Sequence, residues 1–176
     1  MSALSSRYID FLAESKTERE AVSYAVKQAQ EQGYREYSFG DKMKPGDKFY
    51  FNNRGKSVYL FRIGSEEIEK GIRITAAHID SPRVDLKQHP LYEDGNMGFF
   101  KTHYYGGIKK YQWTTIPLSL HGVVVKKDGS KVDVNIGEGA DDPVFYINDL
   151  LPHLAQEQMK KTMAEGISAE ALNILI

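Results

Sequence analysis

The stretch 72–82, Ile-Arg-Ile-Thr-Ala-Ala-His-Ile-Asp-Ser-Pro, constrains the chain most. Its largely apolar first part, residues 72–77, reads as a strand buried on both faces, in a central position of a covered sheet. Pro82 lacks a backbone donor and stops that strand. Side chains two apart in a strand share a face. His78 and Asp80 are therefore expected to project together from its tip, where open α/β sheets keep their chemistry. On these residues alone two readings stand. One is a structural hydrogen-bonded pair; the other is a metal ligand with a carboxylate behind it.

Composition narrows the class of protein. A chain of 176 residues suffices for one ordinary domain or two small ones. With 41% hydrophobic and 27% charged residues it reads as soluble and globular. A formal charge of -1 and a pI near 6.5 argue against bulk binding to nucleic acid or an anionic membrane. Cysteine is absent, so any metal must be held by His, Asp or Glu, which suits a hydrolytic site better than a structural zinc site. The N-terminus has no apolar signal-peptide core, and no run approaches membrane-span length, so a cytoplasmic location is the default expectation.

Taken in order, residues 6–14 read as a short helix with Tyr8, Ile9, Leu12 and Ala13 on one face. Thr17-Glu18-Arg19-Glu20 is a capping-box pattern opening a second helix that ends at Gly33. Residues 49–51 and 57–63 form a hairpin around Asn52-Asn53-Arg54-Gly55, followed by a charged connection or helical turn at 66–70. After Pro82, residues 83–87 alternate as a strand, and turn signals near His89-Pro90 and Glu93-Asp94-Gly95-Asn96 place a boundary there. The expected domains are residues 1–92 and 93–176. The second is β-rich, with strands over 99–105, 110–115, 118–125, 131–136 and 144–147, and a helix over 150–161. The acidic loop 137–142 offers Asp141 and Asp142 as metal ligands, although a solvated loop explains them as well. The final Leu172-Asn173-Ile174-Leu175-Ile176 reads as a strand, one that would be sticky if left at a free edge.

Several segments, in order, resemble the aspartyl aminopeptidase family of co-catalytic zinc metallopeptidases. His78-Ile79-Asp80-Ser81-Pro82 with the alternating Val84-Asp85-Leu86-Lys87 is similar to that family's His-Thr-Asp-Ser-Pro segment and following strand. Tyr105-Gly106-Gly107, Trp113 and Leu118-Ser119-Leu120-His121-Gly122-Val123 resemble its Tyr-Gly-Gly-Gly, Trp and Leu-Ser-Leu-Ala-Gly-Arg-Val block. Residues 147–154 resemble a later segment closing on His-Leu. Departures are Ile79 for threonine, one glycine fewer after Tyr105, and Thr115-Ile116-Pro117 where the family commonly has Asp-Arg-Asp.

The resemblance implies an α/β fold: the N-terminal portion of a mixed-sheet zinc-peptidase catalytic domain, followed by an inserted β-rich dimerisation domain. It implies an aminopeptidase that removes N-terminal residues from peptides through a water activated by two zinc ions, working as a dimer-based homo-oligomer. His78 is then a zinc ligand, Asp80 a catalytic residue that orients the site or assists the water, and His153 a substrate-binding residue reaching a neighbouring subunit's active site. The remaining ligands and the general base of such a site match nothing in this sequence, so the 176 residues are expected to be an inactive N-terminal piece. From a different class, a non-catalytic oligomerisation or interaction module fits the β-rich second half. His89, at the expected boundary, and His103 and His121, beyond it, lack ligand spacing and are read as ordinary strand or surface histidines. Tyr104, Tyr105, Tyr111 and Trp113 are explained by sheet packing and interface burial.

Overall fold

The computed structural model describes residues 2–176, which fall into two compact units that divide between Ser81 and Pro82. The division lies earlier than the break expected after residue 92. The reason is β4 (Arg83–Asp94), which runs unbroken through His89-Pro90 and absorbs the turn signal as a register shift between Leu86 and Leu91.

In the first unit, α1 (Ala3–Glu14) starts at Ser2, whose hydroxyl accepts the Ser5 N–H at 3.2 Å. None of its residues is buried; the predicted apolar face of Tyr8, Ile9 and Leu12 is exposed, and Phe11 meets the Tyr24 ring edge at 5.4 Å. Helix α2 (Glu18–Glu31) carries the predicted capping box. The Thr17 hydroxyl accepts the Glu20 N–H, and the Glu20 carboxylate accepts the Thr17 N–H at 2.8 Å. Gly33, at φ 78°, ends it in the left-handed conformation that glycine adopts without strain.

Helix α2 packs on a sheet ordered β1-β2-β3: Arg35–Glu36, Lys48–Asn53 and Ser57–Arg62. The β2–β3 hairpin is the one expected, while β1, a two-residue parallel strand, is legible only in three dimensions. Successive side chains of β2 face opposite ways. Tyr50 turns toward α2, its hydroxyl accepting from Gln30 Nε2 at 2.9 Å. Phe49, fully buried, joins Tyr37, Phe39, Phe51, Tyr59 and Phe61 on the other face, with ring centroids 5.4–6.2 Å apart. Each such ring pair is worth about 0.5–1.5 kcal/mol beyond area burial.

Residues 71–82 correct the leading expectation. They form no strand, and Ile72 and Ile74 are exposed. The run has the composition of a two-sided strand, but no described strand pairs with it. Without a ladder partner the backbone has no reason to stay extended and regular.

The second unit is built on the antiparallel order β4-β5-β9-β8, with β5 at Met97–Tyr105, β8 at Tyr146–Ile147 and β9 at Ile174–Leu175. The terminal apolar run is thus enclosed between β5 and β8 rather than left at a sticky edge. Ile147, Ile167, Leu172 and Ile174 form its core, with Phe100, Tyr111, Trp113 and Phe145 packed around them. Thr102, buried on β5, donates its hydroxyl to the Leu172 carbonyl. A separate ribbon pairs β6 (Leu120–Val125) with β7 (Lys131–Ile136) across the turn at 127–130.

Two further expectations give way. Residues 110–115 hold a 3-10 turn, Lys110–Gln112, in place of a strand. Residues 150–161 make successive turns in place of a helix. Ala155 N–H bonds to Leu151 and Met159 N–H to Ala155, but Leu150, Leu151, Leu154 and Met159 are exposed. An apolar helix face with nothing to pack against loses its main source of stability.

Candidate functional site

His78 and Asp80 do come together, though not on a strand. The His78 Nδ1 lies 3.1 Å from the Asp80 carboxylate and 3.2 Å from the Asp80 carbonyl. The His78 side chain is 84% exposed, and its Nε2 has no protein partner among the described residues. A carboxylate on one imidazole nitrogen fixes the tautomer and leaves the other as a lone-pair donor, the arrangement usual for a metal-ligating histidine. His78 thus fits one corner of a zinc site. Among the described residues, no group of three or more His, Asp or Glu side chains could enclose an ion.

His153 lies in the second unit, within the 150–161 turns. It is exposed and makes no hydrogen bond or ion pair among the described residues. Of the other histidines, His103 sits 3.9 Å from the Asp85 carboxylate. His121 is inward-facing on β6, its side chain only 7% exposed. Its Nε2 lies 3.0 Å from the Ser119 hydroxyl and 3.3 Å from the Glu138 carboxylate. Sequence reading missed this cluster, because Glu138 reaches His121 only through the β6–β7 pairing that sets Asn135 opposite it.

In the acidic loop, one Asp142 oxygen accepts the N–H groups of Gly139, Gly137 and Glu138 at 2.9–3.2 Å. These bonds, led by that from Gly139, hold its carboxyl below the ordinary value. Asp142 is therefore occupied as a loop clasp.

Comparison with known proteins decides the family. The model of the family described as Aminopeptidase I zinc metalloprotease (M18) matches residues 11–176. The chain belongs to the M18 aminopeptidase family. It is 53% identical over 99% of its length to a probable M18 family aminopeptidase 1 of Clostridium acetobutylicum, and covers 38% of that protein. A crystal structure of the Thermotoga maritima M18 aminopeptidase superimposes with a TM-score of 0.89 at 42% identity, over 98% of this chain and 38% of the other. The crystal structure of aminopeptidase I from Clostridium acetobutylicum gives 0.85 at 50% identity, over 99% and 39%. The mixed α/β architecture, with several sheets, is thus that of the M18 aminopeptidases. The chain spans about two fifths of the relatives it matches.

Proposed function

We propose that these residues contribute the first part of a zinc-dependent aminopeptidase, with His78 as a zinc ligand and Asp80 as its catalytic carboxylate. The observation that carries the reading is the His78–Asp80 pair itself, with Nδ1 held at 3.1 Å and Nε2 turned out. Bound zinc, two ions in the complete enzyme, would supply Lewis acidity toward the scissile carbonyl and an activated water. The chain's own share is to present one neutral imidazole. Asp80 holds the Nδ1 proton and keeps the ring from rotating.

On the same reading, the first unit belongs to the catalytic domain and the β-rich second unit to an inserted dimerisation domain of a cytoplasmic homo-oligomer. Support comes from His153 and its exposed neighbours Leu150, Leu151 and Leu154, which suit a segment that meets another subunit and its peptide substrate. No helix among the described residues is long and apolar enough to cross a membrane.

The test uses the full-length protein. His78→Ala is expected to abolish hydrolysis of aminoacyl-p-nitroanilides and to lower bound zinc; unchanged rate and zinc content would refute the ligand role. The isolated 176 residues are expected to show no turnover and weak zinc binding by calorimetry.

A further inference from the structure

Aspartate followed by glycine occurs twice in the chain, at Asp94-Gly95 and Asp128-Gly129. Both pairs sit at the turns of second-unit hairpins, and all four residues are exposed, so exposure does not separate them. The dipeptide is reactive for a simple reason. Glycine has no Cβ to keep its own amide nitrogen away from the preceding side chain. That nitrogen can attack the aspartyl Cγ when the carboxyl is free to turn toward it and the N–H is not committed elsewhere. The two turns differ in both respects. In the β6–β7 turn one Asp128 oxygen accepts the Ser130 hydroxyl at 2.6 Å and the Ser130 N–H at 2.9 Å. Gly129 donates its N–H to the Lys126 carbonyl at 2.9 Å. The Ser130 hydroxyl, and after it the Ser130 N–H, hold the Asp128 carboxyl below its ordinary value, further from the neutral form that can lose its hydroxyl. In the β4–β5 turn Asp94 and Met97 form the last rung, with Gly95 at φ 58° and Asn96 at φ 62° between them. Among the described residues the Asp94 carboxyl takes no hydrogen bond or ion pair, and the Gly95 N–H has no acceptor.

We propose that Asp94-Gly95 is a site of spontaneous isoaspartate formation in the folded protein, and that Asp128-Gly129 is protected from it. The Gly95 nitrogen bonds to Asp94 Cγ. The Cγ–OH bond breaks, and the hydroxyl leaves with the amide proton as water. Water then opens the succinimide ring. Addition at Cγ restores aspartate. Addition at the Asp94 main-chain carbonyl carbon breaks its bond to the Gly95 nitrogen, frees that carbon as a carboxylate and leaves the chain running through Cβ and Cγ. The water lost is regained, so the step is an isomerisation and needs no co-reactant. The product carries one extra main-chain atom in a turn of two residues, and the Asp94–Met97 rung cannot keep its register around it.

The full-length protein is aged at body temperature and neutral pH for several weeks and then digested at mildly acidic pH. The peptides containing residues 94 and 128 are compared by liquid chromatography and electron-transfer fragmentation, which distinguishes isoaspartate from aspartate. Isoaspartate is expected to accumulate about ten-fold faster at residue 94 than at residue 128, the difference that a few exposed hydrogen bonds make. In urea, where neither turn exists, the two rates are expected to converge. Asp94→Glu, whose side chain is one methylene too long to close the same ring, is expected to remove the signal from that peptide and leave the rate at 128 unchanged. Ser130→Ala, which takes the hydroxyl away from Asp128, is expected to raise the rate at 128 several-fold and leave that at 94 unchanged. Equal rates at the two sites of the folded protein, no isoaspartate at residue 94, a signal that survives Asp94→Glu, a rate at 128 unmoved by Ser130→Ala, or a ratio that persists in urea would each overturn the proposal.

Discussion

Ile176 donates its backbone N–H to the Gly98 carbonyl at 3.0 Å, and a Cβ added to Gly98 would lie 3.0 Å from Ile176 Cγ1. Glycine at 98 is therefore the space in which the last residue of the stretch lies. The end of a flexible side chain can give by a few tenths of an ångström, but a branched newcomer cannot share that space. Gly98→Ala is expected to change stability by less than about 1 kcal/mol, and Gly98→Val to cost about 1–3 kcal/mol by overpacking. Urea unfolding of the second unit checks both.

Arg54 adopts φ 60° beside Gly55 at 69°, the pair of positive angles required by a tight hairpin turn. Arginine tolerates this poorly, while asparagine adopts it readily. The Arg54 backbone carbonyl, which accepts from Arg19 at 3.4 Å, is retained in any substitution. Arg54→Asn is expected to stabilise the first unit by about 0.5 kcal/mol, read as a rise in its thermal midpoint.

Asp142 has its folded carboxyl pKa below the ordinary 3.8, chiefly through the Gly139 N–H. A depressed carboxylate contributes its stabilisation above the unfolded pKa and loses it as pH falls through the folded one. The 137–142 loop should therefore stay closed at neutral pH and loosen only in acid, below the ordinary carboxylate range. Hydrogen exchange at the Gly137, Glu138 and Gly139 amides is expected to accelerate there. Asp142→Asn, which removes the charge, should show faster exchange already at neutral pH.

Ile74 is 77% exposed in the described structure. Ile74→Asp is therefore expected to shift the stability of the 176 residues by no more than about 0.5 kcal/mol. If the full-length enzyme supplies strands that pair with residues 72–78, the same substitution there should cost several times more and reduce soluble yield. Equal effects in the two proteins would argue that the run remains unpaired in both.

Features encoded by neighbouring residues were legible from the sequence. The Thr17–Glu20 capping box, the β2–β3 hairpin and strand β7 all rest on local hydrogen bonds or period-two alternation. The His78–Asp80 pairing, between residues two apart, was legible for the same reason, although the strand expected to carry it is not formed. Residues 72–78 and 150–161 misled because an apolar pattern records the burial a segment is suited to, and among the described residues neither has the partner that would provide it. The His121–Glu138 contact and the two-residue β1 depend on pairings between distant residues, which no local pattern announces.

Strand β9 follows both β5 and β8 in sequence but lies between them in the sheet. During synthesis both neighbours are therefore made before the strand that joins them, and each must wait with an open edge. The first unit, whose α2 and β2–β3 hairpin are local, can form while the rest is still being translated. The second can close only once Ile174 and Leu175 have cleared the ribosome. Until then β5 and β8 are the surfaces most exposed to mispairing with another nascent chain, and the ones a holding chaperone would best protect.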